Sequence, residues 1–560
     1  MATPQHDPSA PLTWTAPGPG MWNLDRSHVN RPATLICQHI QTTSTITGTR
    51  RGLAEMGAPL DGLDFRFVNG LVYSRIRPLI APDRAATKVP PKPLLKLAMR
   101  LHPEMRRRAA TAERVLEERP WRRVLAEWSA PGGMREQCER ENLAIQDIDL
   151  AALGDDELVA HAVRVVDHAV AMWDQHFWLH NYDLGPIGLL LDAAAGWGIE
   201  SSEVIPLLEG ASPSTSSAER ALRRIRVAVE EAGASPSTLD ELRSVSRAVA
   251  ADLDDFLRLR GRLIVSRYDI DGLSLAESPS VLLATILAAR DDSERAAAAA
   301  GALEWRTAEV RDRVPAADRS LFDLFLAEAR AAMDLRDDNG PHTIEWPFGL
   351  VRLALLEVGR RLVAAGRAAK PEHALELGVD EVASAMSGTG PSADELAARQ
   401  HWRQHVDVDA APRRLGVDEP APPLDVLPPA MARVVGFVQR VIAEAGLDGE
   451  TKSEGLTGVG VGSAPYRGTA RLAGSPEAAL EQLQPGDVLV VPCTTPAFNM
   501  VLSMAGAVVT AEGGALSHAA VLARELGIPA VVGAPRALLD IPDGAQVEVD
   551  PVGGQVRVLR

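Results

Sequence analysis

The chain has 560 residues, 46% of them hydrophobic, and a formal net charge of −17 with a pI near 5.3. This length predicts more than one domain with ample apolar core, and the acidity disfavours nucleic-acid binding, which needs a basic face. Three widely spaced cysteines, no signal-like N-terminus and no long apolar run favour a reduced cytoplasmic protein without a membrane partner.

In chain order, the sequence predicts a tail at the N-terminus and then a series of helices. Residues 1–20 are rich in proline, glycine and hydroxyl residues, and we expect a mobile tail there. From about residue 95 to 405, Ala, Leu, Arg and Glu recur at helical spacing. The predicted helices include 155–174, 217–232, 239–260, 316–335 and 350–368, with one more over 430–445. The polar, glycine-flanked segment 447–455 is the predicted hinge.

One helical segment combines aromatic and polar side chains. On a helix, its residues 173, 176, 177 and 180 share one face, and such a face can hold an aromatic ring and supply a general base. The alternative is ordinary core packing, with the histidines satisfied by neighbours. The histidine pair at i, i+4 lacks a third ligand, so we predict no metal site. The substrate-binding candidates are Trp173, His176, Phe177, Trp178, His180 and Asp183.

Two further candidates lie outside this segment. His28 and Asp25 form a small polar cluster near Trp22, for which the alternative is a turn held by aspartate–backbone hydrogen bonds. Arg336, which two aspartates follow, is a candidate for contacting phosphate. The alternative for Arg336 is a pair of ordinary surface ion pairs.

A glycine turn and a histidine follow a predicted strand near the end of the chain. The apolar run that ends at Thr510 is followed by Gly513, Gly514, Ser517 and His518, with the histidine in the first turn of a predicted helix. Glycines let the backbone approach an anion closely, and a helix start favours negative charge. Ser517 is a natural N-cap. The positive helix end disfavours imidazolium, so we expect His518 to be neutral and nucleophilic near pH 7.

The stretch from Thr510 to Gly533 reads T-x-x-G-G-x-x-S-H-x-A, then R-E-x-G-I-P-A-V-x-G. It resembles the phosphohistidine, or swivelling, domain of the superfamily of phosphoenolpyruvate synthase, pyruvate phosphate dikinase and rifampin phosphotransferase. The resemblance implies a small β/β/α domain over 456–560 in which His518 becomes phosphorylated. The residues that it implies as phosphate-binding or supporting are Thr510, Gly513, Gly514, Ser517 and Arg524.

The helical part resembles the substrate-binding region that precedes the histidine domain in rifampin-phosphotransferase-like enzymes. The similar stretches are 22–32, 68–73 and 256–261, in the family's order. Where that family commonly has G-H-R, this chain has Gly261, Arg262 and Leu263, which alters a polar pair of the substrate region. The predicted fold class is α+β multidomain, with a large, mainly α-helical substrate-binding domain over 21–446 followed by the swivelling domain.

The sequence shows neither an ATP-grasp domain nor a Walker-type phosphate loop. The resemblance therefore implies a separate ATP-grasp subunit, as in split phenylphosphate synthase-type systems, with ATP and Mg²⁺ bound there and no cofactor held tightly by this chain. The implied reaction, of the kind used in aromatic compound catabolism, converts ATP, water and a small, phenolic or aromatic hydroxyl compound to AMP, phosphate and a phosphate ester. The alternatives are a non-catalytic binding or regulatory homologue, and an antibiotic-inactivating enzyme similar to rifampin phosphotransferase.

Overall fold

The computed structural model describes residues 10–25, 31–265, 267–289, 293–446, 453–474, 476–494, 498–502 and 504–559. Within these ranges a large helical region is followed by a C-terminal domain built on a mixed β-sheet, which confirms the predicted fold class. Most of the predicted hinge, residues 447–452, lies outside the described residues, so the hinge stays a prediction. None of the helices in the described ranges combines the length and apolar character needed to cross a membrane.

The helical region is organised around one helix of 42 residues, α6. The helices are α1 Leu35–Glu55, α2 Lys92–Leu101, α3 Pro103–Glu118, α4 Trp121–Ser129, α5 Met134–Gln146, α6 Asp155–Gly196, α7 Ser201–Val204, α8 Pro213–Glu231, α9 Leu239–Val245, α10 Arg247–Arg260, α11 Pro279–Ala288, α12 Ser293–Arg313, α13 Arg319–Gly340, α14 Trp346–Ala364, α15 Val382–Ser387, α16 Ala393–His405 and α17 Pro429–Ala445. Helices α1, α13, α14 and α17 pack along α6, so a side chain on α6 meets a different neighbour on each face.

Three of the predicted helices are divided or joined differently in the structure. The predicted helix 239–260 is interrupted at Ser246, whose extended backbone and hydroxyl cap the start of α10. In contrast, the predicted helices 316–335 and 350–368 are joined, because α13 passes through a π-helical segment, Pro341–Glu345, directly into α14. Proline has no N–H for the preceding turn, which favours such a local change of helical geometry.

A four-stranded sheet lies beside the helices, with the strand order β2-β3-β1-β4 and antiparallel pairing. Its strands are β1 Met21–Leu24, β2 Leu60–Val68, β3 Leu71–Pro78 and β4 Arg414–Gly416. Trp14 contacts Tyr73, with ring centroids 6.5 Å apart, and Asn69 donates a hydrogen bond to the Thr13 carbonyl. Residues 10–20 therefore pack against this sheet, which corrects the expectation of a mobile tail for that stretch, while residues 1–9 lie outside the described residues.

The C-terminal domain contains a seven-stranded sheet with the order β11-β10-β6-β7-β8-β9-β5. Its elements are β5 Val459–Val461, β6 Tyr466–Leu472, α18 Pro476–Gln482, β7 Val488–Val491, α19 Asn499–Leu502, β8 Ala507–Thr510, α20 His518–Leu526, β9 Ala530–Val532, α21 Ala537–Asp540, β10 Gln546–Asp550 and β11 Gln555–Val558. Strands β6 to β9 are parallel, and β7 and β8 are buried along their whole length. The carboxyl ends of β7 and β8 therefore meet at one edge of the sheet.

Candidate phosphohistidine site

His518 is the first residue of α20, directly after the turn that follows β8. Ser517 is the N-cap, with an extended backbone and a hydroxyl that accepts a hydrogen bond from the Ala520 N–H at 3.4 Å. The predicted N-cap is confirmed. Because a capped helix start holds its first turn rigidly, the imidazole has a defined direction at the sheet edge.

A threonine from the neighbouring loop orients the imidazole. Val491 and Thr510 are partners in the β7–β8 register, so the loops after these two strands run side by side. In this arrangement the Thr494 hydroxyl lies 2.8 Å from Nδ1 of His518. A hydrogen bond at one ring nitrogen sets the role of the other, and it leaves Nε2 as the nitrogen that can accept a phosphoryl group. Thr494 was not among the sequence candidates.

His518 is neutral at physiological pH. Burial of the ring lowers the pKa of His518 to about 4, because a desolvated imidazolium is unfavourable. The expectation from the sequence, a neutral nucleophile near pH 7, therefore agrees with the structure, although the cause is burial. An unprotonated ring at neutral pH keeps the lone pair that attack on phosphorus requires.

The two glycines of the turn are needed for different reasons. Gly513 has a φ of +115°, a conformation that side-chain-bearing residues rarely adopt. Gly514 instead packs on the last turn of α17, where a Cβ would overlap the Glu444 carbonyl oxygen and lie 3.0 Å from the Gly446 nitrogen. The Leu516 N–H donates to the same Glu444 carbonyl at 2.8 Å. The glycine pair thus shapes the turn and also lets it dock on the helical region.

Thr510 and Arg524 support the turn through backbone hydrogen bonds. The Thr510 hydroxyl donates to the Glu512 carbonyl at 2.7 Å and accepts from the Gly533 N–H at 3.3 Å. Arg524 donates to the Ala515 carbonyl at 2.7 Å, and burial lowers the pKa of its guanidinium to about 10. Both residues therefore stabilise the loop that carries His518, and their predicted contact with phosphate stays a prediction.

The His518 loop docks on the helical region at several points. Arg336 donates to the Leu516 carbonyl at 3.3 Å, two residues before the histidine. The Glu525 carboxylate accepts from the Gly210 N–H at 2.8 Å, and Ala515 and Leu516 belong to the same buried apolar cluster as residues of α6, α13 and α17. The contacts of Arg336 with the loop were not among the alternatives considered for it.

The α6–α13 contacts show how these two helices are aligned. Asn339 of α13 donates to the His176 carbonyl at 3.2 Å, and Trp197 at the end of α6 donates to Asp318 at the start of α13 at 3.2 Å. The two helices are therefore antiparallel, and Arg336, three residues before Asn339, lies level with the residue three positions after His176. Arg336, which holds the Leu516 carbonyl, therefore lies about one helical turn from the Asn339–His176 contact along α13.

The predicted aromatic and histidine face exists, but its members differ in role. Trp173 is buried, donates to the Thr45 hydroxyl at 2.8 Å and stacks on Phe348 with ring centroids 5.5 Å apart, which is the arrangement of a core residue. Phe177 is partly buried and meets Phe65 of β2 edge to face at 5.8 Å. It therefore lies between α6 and the four-stranded sheet.

The two histidines of this face are held in a hydrogen-bonded line. Nδ1 of His176 lies 3.1 Å from the Thr343 hydroxyl, and Nε2 of His176 lies 3.1 Å from Nε2 of His180. Nδ1 of His180 lies 2.7 Å from the carboxylate of Asp183, which is completely buried. Each ring nitrogen thus has a hydrogen-bond partner within the protein. This agrees with the alternative in which neighbouring groups satisfy the histidines. Neither ring therefore has an unengaged nitrogen that could act as a general base.

Trp178 lies on another face of α6. Its ring packs under the Arg51 guanidinium at 4.6 Å, and its indole N–H donates to Glu55 at 2.7 Å. Arg51 and Trp178 line an open cavity of about 230 Å³ between α1, α5 and α6. The helical rotation from His180 to Trp178 separates this cavity from the histidine line, so the two parts of the candidate set do not form one pocket.

The second sequence cluster is described only in part, because His28 lies outside the described residues. Asp25 follows β1 and lies close enough to the loop after β7 for its carboxylate to affect the pKa of Cys493. Burial, followed by the Glu512 and Asp25 carboxylates, raises the pKa of the Cys493 thiol to about 12. Asp25 therefore lies near the loop that also carries Thr494.

Comparison with known proteins agrees with this geometry. Residues 483–554 match the family model of the PEP-utilising enzyme mobile domain. The chain is 29% identical over 596 residues to chondramide synthase cmdD of Chondromyces crocatus, an alignment that covers 99% of the chain and 14% of that protein. It is 28% identical over 242 residues to the uncharacterized phosphotransferase YvkC of Bacillus subtilis, covering 43% of the chain and 27% of YvkC. It is 46% identical over 89 residues to phosphoenolpyruvate synthase of Aeropyrum pernix, covering 16% and 11%.

These matches define the class of the C-terminal domain, which is a PEP-utilising enzyme mobile domain. The chain is homologous over partial lengths to the phosphotransferase YvkC and to phosphoenolpyruvate synthases. It spans less than a third of the length of each of these relatives.

Proposed function

We propose that the chain is the carrier and acceptor-binding part of a phosphotransferase, in which His518 takes a phosphoryl group from a separate ATP-grasp subunit and passes it to a small hydroxyl compound. The observation that carries this proposal is the neutral imidazole at the head of α20, oriented at Nδ1 by Thr494. The match of residues 483–554 to the PEP-utilising enzyme mobile domain supports it.

The reaction is a double displacement. In the first step Nε2 of His518 attacks the β-phosphorus of ATP, so that an N–P bond forms and the P–O bond to AMP breaks, and water then cleaves the P–O bond to the γ-phosphoryl group and releases it as phosphate. In the second step the acceptor hydroxyl oxygen attacks the same phosphorus, forming an O–P bond as the N–P bond breaks. The imidazole gives up a proton during charging and regains one during transfer, while the acceptor hydroxyl loses its proton. The protein contributes mainly alignment and charge stabilisation to both steps.

The two steps require two positions of the C-terminal domain. The His518 loop contacts α13 and α17, and in this proposal that arrangement is the position for transfer to an acceptor held by the helical region. Charging requires the domain to leave this position, with segment 447–455 as the hinge. ATP and Mg²⁺ act at the donor subunit in this proposal.

The acceptor is a small, aromatic or phenolic hydroxyl compound in this proposal. Phe177 lies between α6 and β2, and it supplies an aromatic side chain next to the rings of His176 and His180. In this proposal we assign the acceptor site to the surroundings of Phe177 and His180. Trp173 is assigned to the core, where it stacks on Phe348.

The test is reconstitution with the candidate ATP-grasp protein, radiolabelled ATP and a panel of phenols. We expect a labelled phosphate ester only when both proteins are present, and no ATP turnover by this chain alone. His518→Ala should abolish ester formation, whereas His168→Gln, which changes another histidine of α6, should not. Turnover by the His518→Ala protein, with its fold confirmed by thermal unfolding, would exclude the carrier role.

A further inference from the structure

Helix α2 exposes a stripe of leucines on the surface of the helical region. Leu94, Leu97 and Leu101 are 58%, 51% and 67% exposed. Their spacing of three and four residues places them on one face of the helix. Single exposed apolar residues are common on protein surfaces, but three on one helical face form a contiguous patch. The leucine stripe is therefore a candidate interaction surface.

The leucine stripe faces away from the protein body. Leu95 and Met99 are the buried residues of α2, and they lie about 150° around the helix axis from the stripe. The helix packs against α3 and against the short segment Leu424–Val426, where Lys92 donates to Asp425 at 2.7 Å. Helix α2 is thus attached to the protein along one side and presents its leucines on the other.

The sequence around α2 is strongly basic, although the whole chain is acidic. Residues 88–108 contain seven Lys or Arg residues and a single acidic residue, Glu104, which gives a net charge of +6 in a chain of net charge −17. Three of the five lysines in the chain lie within residues 88–96. Lys96 and Arg100 are exposed and lie between the leucine stripe and the buried face. The surface of α2 therefore combines apolar and positively charged side chains.

We propose that α2 docks the protein on the surface of a bilayer that contains anionic lipids. A helix with leucines on one face and Lys or Arg beside them lies in the plane of such a surface, with the leucines in the outer hydrocarbon. The long side chains of Lys96 and Arg100 reach the lipid phosphates from there. Anionic lipids attract the basic segment and repel the rest of the acidic chain, so the charge distribution also orients the protein.

Two other occupants fit the surface of α2 less well. A second copy of the chain would bring two basic segments together, which like-charge repulsion opposes. A partner protein would need an apolar groove with an acidic rim matched to this helix, whereas a fluid bilayer supplies both components without shape matching. A helix in the plane of a bilayer needs no spanning segment. The lack of a long apolar run, on which the expectation of no membrane partner rested, therefore does not bear on α2.

The test is flotation of the full chain with vesicles of phosphatidylcholine, either alone or mixed with an equal amount of phosphatidylglycerol. We expect binding to the mixed vesicles that added salt weakens, and much weaker binding to phosphatidylcholine alone. Leu97→Gln leaves the charge unchanged and should weaken binding about 3- to 10-fold, because about half of the leucine is available for burial. Lys96→Gln removes one positive charge and should weaken binding about fivefold.

Leu539→Gln is the matched control, because Leu539 is 76% exposed on α21 of the C-terminal domain, and this variant should bind like the unmodified protein. His518→Ala should also bind normally, since lipid docking does not depend on the proposed phosphotransfer. Thermal unfolding checks the fold of each variant. Failure of the unmodified protein to bind the mixed vesicles, or equal binding by the Leu97→Gln protein, would overturn the proposal. If vesicles do not bind but Leu97→Gln disrupts a complex with the ATP-grasp protein, lipid docking is wrong and the surface of α2 belongs to a protein partner.

Discussion

Substitution of Gly514 by alanine separates docking of the mobile domain from charging of its histidine. A Cβ at this position would overlap the Glu444 carbonyl oxygen, with the Glu444 carbonyl carbon and the Gly446 nitrogen 3.0 Å away. These are backbone atoms, which cannot rotate aside as a flexible side chain can. Gly514 does not have the positive φ of Gly513, so the turn itself accepts alanine.

Gly514→Ala should raise the free energy of the docked state and leave that of the undocked state unchanged. Overpacking of a tight contact costs about 1–3 kcal/mol, and each 1.36 kcal/mol corresponds to roughly tenfold in a population or a rate. Gly514→Ala should therefore slow transfer from phosphorylated His518 to the acceptor by about 5- to 150-fold. Charging by phosphoramidate, a small-molecule phosphoryl donor that needs no partner protein, should keep the wild-type rate, because the Glu444 contact is absent when the domain has swung away.

Single-turnover assays of each half-reaction measure this difference. Gly474→Ala is the matched control in the same domain, since a Cβ there would meet no atom within 4 Å. If Gly514 is needed instead to let a phosphate group approach the backbone closely, the rates of charging and of transfer should both fall. Wild-type transfer by the Gly514→Ala protein would refute the docking argument.

Three other substitutions or conditions test the site. Thr494→Val should slow phosphorylation of His518 by about 2- to 13-fold, since the lost Nδ1 hydrogen bond is worth about 0.5–1.5 kcal/mol. Thr494→Ser should restore the rate, and an unchanged rate for the valine variant would contradict an orienting role. Because burial lowers the pKa of His518 to about 4, NMR titration of the unphosphorylated protein should show a neutral His518 ring from pH 8 to 5 and protonation only near pH 4, whereas a midpoint near 6.5 would show an exposed ring. Trp173→Ala should lower the free energy of unfolding, measured by denaturant titration, by about 3–5 kcal/mol. A change of less than about 1 kcal/mol would contradict the assignment of Trp173 to the core and favour a role in the acceptor site.

The sequence predicts the local features of the site well and the long-range ones poorly. Ser517 and His518 follow a strand and two glycines within a few residues, so local rules identify the cap and the helix start. Thr494 reaches His518 only through the register of two parallel strands, and nothing near it in sequence indicates that contact. The Gly514 contact with Glu444 depends in the same way on how two domains pack.

The same limit applies to the pairing of β1 with β4 and to the divided aromatic segment. β4 pairs with β1 from the far end of the helical region, so neither short strand carries a local hairpin signal. Helical spacing correctly groups Trp173, His176 and His180 on one face. It does not reveal that Trp173 stacks on Phe348, because that contact is decided by where α14 packs.

The most direct test of the account is to locate the phosphoryl group during turnover. The complete system should be stopped at alkaline pH and digested, and the peptides should be sequenced by mass spectrometry before and after mild acid. The account predicts an acid-labile phosphoryl group on the peptide that contains His518, lost when acceptor is added. A system that forms phosphate ester while this peptide stays unmodified would contradict it.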